Sequence, residues 1–210
     1  MEKIDIETWD RKDHFNFFKM VPYPIYNICF DIDISRLKGY TQDKSLSFNL
    51  SMIFIVTESL NEIDNFRYRL RGNDVVLHEA LTPSYTDIAE GSELFKMVTV
   101  EMDPDLVRFV QKSKQKAAQQ TKYFIPSDFM NRDDFVFYSI IPWISFTSID
   151  HTVNCKQGDA IPRVTFGKYY HRGNAWYLPF NIQVNHLFVD GIHLGQLKDK
   201  IDEKIKGLND

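Results

Sequence analysis

From Leu178 to Val184 apolar and polar residues alternate without a break: Leu178, Phe180, Ile182 and Val184 against Pro179, Asn181 and Gln183. A period of two marks a strand whose faces meet different surroundings. A few residues on, the period lengthens. Leu194, Leu197, Ile201 and Ile205 recur at spacings of three and four, the stripe of an amphipathic helix. The join reads His186-Leu-Phe-Val-Asp190-Gly191. Gly191 permits a backbone that other residues resist. The pattern therefore predicts a strand that runs out at His186 and a helix that starts just after Asp190.

The same reading covers the rest of the chain. A short helix is expected over Asp10 to Phe18; Thr8 and Arg11 do not form a capping box, so its start is undefined. Pro22 and Pro24 then force extended chain, and Ile28, Phe30, Ile32 and Ile34 alternate with Cys29, Asp31 and Asp33 as a strand. Ser35 to Lys44 is a polar connection with room for a short helix. Phe48 to Ile63 is a helix with Leu50, Ile53, Phe54 and Thr57 on its buried stripe. Phe66 to Leu70 and Val75 to His78 flank Gly72-Asn73, a hairpin turn. Tyr85, Asp87 and Leu94 to Val100 give further strand. Asp103 before Pro104 reads as a helix start, with Leu106, Phe109, Val110 and Ala117 on the inner face. Lys112, Lys114 and Lys116 follow, a solvated face or a phosphate-binding one. Phe135 to Ser148 reads as strand, with Pro142 as an interruption. His151 to Ala160 is a polar loop. Arg163 to Tyr170 and Ala175 to Val184 form a hairpin across His171-Arg-Gly-Asn174. Helices and strands interleave without a strict βαβ rhythm, so the expected class is α/β in the broad α+β sense: a mixed sheet covered by helices.

Composition narrows the function. At 210 residues and 43% hydrophobic content the chain can bury a substantial core, and residues 1–210 are read as one domain. A formal net charge of -4 argues against non-specific nucleic-acid binding. No apolar run has the length of a membrane span, and Met1-Glu-Lys-Ile-Asp-Ile-Glu-Thr is too charged for a secretion signal. The cytoplasm is the expected compartment. Cys29 and Cys155 are far apart and read as buried thiols.

The residues alone leave His186 open. It is either a satisfied core histidine or a general base at a strand end. His186, Asp190 and His193 have the spacing of a metal-binding helical face. However, His186 reads as strand, and no second cluster completes a ligand set, so no metal is expected.

His-x-x-x-Asp-Gly after an alternating strand resembles the signature of the CoA-dependent acyltransferases. The wider chain resembles the chloramphenicol acetyltransferases, type A, in three further blocks. These are Trp9-Asp-Arg-Lys-Asp-His-Phe15, Ser139-Ile-Ile-Pro-Trp-Ile-Ser-Phe-Thr-Ser148 and Val164-Thr-Phe-Gly-Lys-Tyr169. The resemblance covers nearly the whole chain, in order. It implies the two-layer sandwich of that family and a homotrimer with active sites between subunits. It also implies acetyl transfer from acetyl-CoA, a cosubstrate with no tightly bound cofactor beside it, to a hydroxyl of chloramphenicol. Another small alcohol as acceptor, or a non-catalytic scaffold that keeps the fold, are the rival readings.

Carried over residue by residue, the resemblance makes His186 the general base, Ser139 the oxyanion donor, and Thr165 the partner of a water bound to the intermediate. It makes Asp190 a structural residue paired with Arg11. It puts Lys168, Tyr169 and Trp143 on the CoA side, and Phe17, Phe18, Tyr23 and Ile25 around the acceptor. Departures occur too. Asn185 stands where the family usually has a first, non-catalytic histidine. Phe18 stands where a family tyrosine contacts chloramphenicol, and Val21-Pro-Tyr-Pro-Ile25 is bulkier than usual.

Overall fold

The computed structural model describes residues 1–130, 132–152 and 158–209. Its centre is a mixed sheet built from β2 (Ile25–Asp33), β5 (Thr82–Ile88), β6 (Phe95–Thr99), β7 (Phe135–Ile140), β8 (Arg163–Phe166), β9 (Tyr170–Arg172) and β10 (Ala175–Asn185). The spatial order is β2-β10-β8-β7-β5-β6, with β9 pairing to β10. β7 runs parallel to β5 and β8; the other pairs are antiparallel. A smaller sheet, β1-β4-β3, joins β1 (Glu2–Ile4), β3 (Tyr68–Arg71) and β4 (Asp74–Leu77).

The register turns the alternation seen in the sequence into two faces. One rung runs Tyr85, Tyr138, Val164, Ile182, Ile28 across five strands, and the next apolar rung runs Ile140, Phe166, Phe180, Phe30. Helices cover this side. α3 (Phe48–Asn61) lies against it, with α5 (Leu106–Gln119) and α7 (Gly191–Lys206) packed on α3. The Tyr138 hydroxyl meets Thr57 of α3 at 2.7 Å, and Tyr85 donates to the Ser113 carbonyl of α5 at 3.2 Å. The rungs between them belong to the opposite face by the pleat. These read Ser139, Thr165, Asn181, Cys29 and Ser84, Phe137, Arg163, Gln183, Asn27. Polar residues dominate there, and Thr165, Asn181 and Gln183 are nonetheless buried.

Several expectations shift. α3 is buried continuously from Leu50 to Thr57 rather than along one stripe, because the sheet, α5 and α7 enclose it. Thr57 and Ser59 survive inside it by donating to the Ile53 and Ile55 carbonyls. Ser35–Asp43 is a full helix, α2, and Lys12–Lys19 is α1. Phe66 belongs to a short helix, α4 (Asp64–Arg67), not to the strand that follows. α5 is capped by Asp105, which accepts from Arg108 N at 2.8 Å; Asp103 instead accepts from Asp105 N in the turn before it. The strand expected over Phe135 to Ser148 ends at Ile140, two residues before Pro142, where no N–H remains to extend a ladder. The hairpin strand expected over Arg163 to Tyr170 divides into β8 and β9 around Gly167. A Cβ at Gly167 would lie 3.0 Å from the Ile144 carbonyl and the Phe146 ring, so a bare backbone is needed for the two segments to touch. Cys29 is half-buried rather than buried, since it sits on the polar face. Cys155 lies outside the described residues, as does 153–157 of the expected polar loop. Among the described residues no helix is long and apolar enough to cross a membrane.

Candidate active site

β10 ends at Asn185, and His186 carries the ladder one step further by donating its N–H to the Pro24 carbonyl at 2.7 Å. The chain then turns through Leu187, Phe188 and Val189 into α7, with Asp190 as its N-cap. The N–H groups of this turn are taken locally. Leu187 N donates to Asn185 Oδ1 at 2.9 Å, and Phe188 N and Val189 N to the Asn185 carbonyl at 3.1 Å. Asp190 N donates to His193 Nδ1 at 2.8 Å. Asn185 Nδ2 reaches the Asp159 carbonyl at 2.8 Å, so the residue that replaces the family's first histidine ties the strand end to a neighbouring loop.

The carbonyls of the turn are taken from afar. Arg11 donates to the Leu187 carbonyl through Nε at 2.7 Å and to the His186 carbonyl through Nη2 at 3.0 Å. Asn65 Nδ2 donates to the Phe188 carbonyl at 2.6 Å, and the Tyr26 hydroxyl to that of Val189 at 3.3 Å. Four successive carbonyls are thus held by three side chains. Trp9, Phe15 and Tyr68 pack around Phe188, with ring centroids 5.8 to 6.3 Å away. The first and last sequence blocks therefore meet.

Arg11 also grips Asp190 with both terminal nitrogens: Nη2 to Oδ1 at 2.7 Å and Nη1 to Oδ2. This fork holds the Asp190 carboxyl below its ordinary range, against the opposing effect of burial. His186 Nδ1 lies 3.0 Å from Asp190 Oδ1 but is not aligned for a hydrogen bond, and Nδ1 is buried. Both Asp190 oxygens accept from Arg11 and neither accepts a hydrogen bond from His186, so the carboxylate clamps the turn to the N-terminal segment. Buried Nδ1 leaves Nε2 as the nitrogen able to face a substrate. The imidazole lies between two rings: Phe18 stacks on it at 4.0 Å and 11°, and Tyr26 flanks it at 4.7 Å. Burial raises the Tyr26 hydroxyl to about 12, so it stays a donor at neutral pH.

Ser139 and Thr165 are neighbours in register, and Thr165 pairs in turn with Asn181. The Ser139 hydroxyl makes no hydrogen bond among the described residues; Thr165 Oγ1 meets His151 Nε2 at 2.7 Å. Neither residue approaches His186 of its own chain. His186 is five residues beyond Asn181, about 16 Å of extended strand, and Ser139 is two strands aside, about 10 Å more at right angles. Within one chain the two are close to 20 Å apart on that geometry.

The remaining residues fall in two places. Lys168, Tyr169 and Trp143 lie together on an exposed edge, where Lys168 N donates to the Ile144 carbonyl at 2.8 Å and Ser145 Oγ to the Lys168 carbonyl at 2.6 Å. Tyr169 sits edge-on to Phe48 and Trp176. Beside them a cavity of about 470 Å³ is lined by residues that include Cys29, Asp31, Phe146 and Tyr170. Phe17 and Tyr23 are more than half exposed, Ile25 pairs with Asn185, and Phe18 is the one that touches His186. Sequence reasoning missed Asn65, Tyr26 and His151; none stands in a motif, although His151 is one of only six histidines. No group of three or more His, Cys, Asp and Glu that could hold a metal is found among the described residues.

A helix-covered mixed sheet whose last strand ends at a histidine beside an Arg–Asp clamp is the frame of the site, and similarity to known proteins gives its class, an acyltransferase. The family model for chloramphenicol acetyltransferase matches residues 1–202, so the chain belongs to the chloramphenicol acetyltransferase family. It is 30% identical over 203 residues to a chloramphenicol acetyltransferase of Klebsiella sp, covering 95% of this chain and 91% of that protein. It is 32% identical over 206 residues to one of Campylobacter coli, covering 96% of each. A solved chloramphenicol acetyltransferase superposes with a TM-score of 0.90 at 25% identity, covering 97% of this chain and all of the other.

Proposed function

We propose that the chain transfers the acetyl group of acetyl-CoA to a hydroxyl of chloramphenicol, in the cytoplasm, as a homotrimer whose sites lie between subunits. His186 Nε2 takes the hydroxyl proton as the alcohol oxygen attacks the thioester carbonyl carbon. The resulting oxyanion accepts from Ser139. The carbon–sulfur bond then breaks, the sulfur takes the proton back from the imidazolium, and an acetyl ester and free CoA leave. Because both substrates meet in one site, no acyl-enzyme is needed. Lys168, Tyr169 and Trp143 form the CoA side.

The observation that carries this reading is the separation of His186 from Ser139 within one chain. Hydrogen-bond catalysis needs both within about 3 Å of one substrate, so they serve one site only if neighbouring subunits supply them. Two measurements test it. Thiol release from acetyl-CoA should depend on chloramphenicol. His186→Ala and Ser139→Ala chains, each nearly inactive alone, should regain activity when refolded together, because about a quarter of the interfaces in a random one-to-one mixture pair an intact base with an intact serine. Co-refolded chains that stay inactive would overturn the shared site.

One observation favours a second acceptor. Phe18 offers no hydroxyl and spends its ring on the imidazole, so an alcohol that does not need that hydrogen bond would fit as well. Thiol release with other small alcohols, and none with chloramphenicol, would establish that reading.

A further inference from the structure

His151 stands outside every motif, yet it meets the sheet at the place where the chemistry is expected. Its Nε2 lies 2.7 Å from Thr165 Oγ1. Its backbone N–H donates to Gln183 Oε1 at 3.2 Å, which pins the 148–152 segment over the polar face. Asp150 beside it accepts from Asn27 Nδ2 on β2, a second pin on the same segment. Thr165 is fully buried, and on its two sides in register stand Ser139 and Asn181.

A threonine hydroxyl has one proton and can turn. Left to itself in a strand it bonds to nearby backbone. Here the imidazole occupies one of its directions. If Nε2 carries the hydrogen, the imidazole donates to Oγ1 and the threonine proton is free to be given elsewhere. If Nε2 is bare, it consumes that proton. The surroundings favour a neutral ring. Burial, and next the Arg163 guanidinium, pull the His151 imidazole below its ordinary value, with the Asn181 amide and the Asp150 carboxylate acting the other way. Arg163 is itself paired with Asp159 at 2.6 Å.

We propose that His151 is a positioning residue for the transfer: it donates through Nε2–H to Thr165 Oγ1 and so directs the threonine proton toward the water bound to the reaction intermediate. This rests on the acetyl-transfer reading above and on the role the resemblance implies for Thr165. It adds a residue that acts through Thr165, without touching substrate, and whose loss removes a transition-state contact rather than a binding one.

Kinetic and spectroscopic measurements on the whole 210-residue chain test it. Wild-type thiol release comes first; a protein that acetylates no alcohol overturns the functional reading and this proposal with it. In an active protein, His151→Leu should lower kcat about five- to tenfold while KM for both substrates stays within about twofold. His151→Gln, which restores a donor at the same reach, should recover most of kcat. In a Thr165→Val background, His151→Leu should cost nothing further, because the group it orients is gone. An unchanged kcat in His151→Leu, a loss confined to KM, or full additivity with Thr165→Val would each overturn the proposal while leaving acetyl transfer standing. Nitrogen-15 correlation spectra of the histidine rings give a readout independent of turnover: Nε2 of His151 should be the protonated nitrogen in wild type. Finding it bare overturns the proposal.

Discussion

The turn after β10 and the polar face in the middle of β10 sit on one strand and treat hydrogen bonds in opposite ways. From His186 to Val189 every backbone carbonyl accepts from a distant side chain, and every N–H from His186 to Asp190 has a partner. On the polar face, among the described residues, Ser139 makes no hydrogen bond and Gln183 Nε2 is buried without one. A buried group without a partner costs roughly 1–3 kcal/mol. The difference separates what is built to hold still from what is built to receive. His186 is mounted on a saturated frame, so its place does not depend on a ligand. The face with Ser139 keeps hydrogen-bonding capacity in reserve, as the proposed shared site requires.

The comparison breaks first if the mounted group is not the base. His186→Ala should lose about 10²–10⁴-fold in kcat with little change in melting temperature, since the frame holds the backbone and not the ring. Stopped turnover beside a normal unfolding curve is the expected pair of results; a variant that keeps most of kcat removes His186 from the chemistry. Next comes the receiving side. Ser139→Ala should lower kcat about 10²-fold with a smaller change in KM, because the contact is made to charge that exists only in the intermediate. A fall confined to KM would make Ser139 a ground-state contact.

The frame itself is tested by Arg11→Ala. It strands a carboxylate and frees two carbonyls, so denaturant unfolding should report a loss of about 3 kcal/mol, with activity falling alongside. Asp190→Ala should cost a similar amount, and the double variant less than the sum. Additive losses would mean the fork is incidental. The smallest effect is acid sensitivity. Burial lowers the His193 imidazole below its ordinary 6.5, and His193 Nδ1 accepts from Asp190 N only when bare. A group with a lowered folded value stabilises fully above its unfolded value, and that contribution fades as pH falls from there through the folded value. Melting temperature should therefore decline below about pH 6.5. His193→Asn should flatten the part of that decline that belongs to this residue.

The strand-to-helix passage was legible because its residues change period where the backbone changes state: Leu178 to Val184 read as β10, and Leu194 to Ile205 as α7. The motif residues His186, Arg11 and Asp190 could be picked out too. Their support could not. Asn65 and Tyr26 serve the turn through contacts 123 and 163 residues away, which no local pattern encodes. His151 was hidden in what reads as a polar loop, since only the register of β8 against β10 brings Thr165 beneath it. Asp103 and Asp105 were confused because both begin local turns, and the choice depends on where α5 meets α3. The strand expected through Ser148 had the right side-chain chemistry, but past Ile140 its regular ladder stops at Pro142, which has no N–H to give, and only isolated bonds such as that from Lys168 N to the Ile144 carbonyl remain.

The Arg11 fork has a further consequence, in time rather than in space. Its two ends are 179 residues apart, so the loop it closes is nearly the whole chain. Contacts of such separation are late events in folding, because the entropy of closure must be met before they form. During synthesis Arg11 emerges 179 residues ahead of Asp190 and waits for it through that whole span. A chain stalled before Asp190 therefore never assembles the mount for its histidine, and the presence of that mount is a signal that synthesis has passed the start of α7.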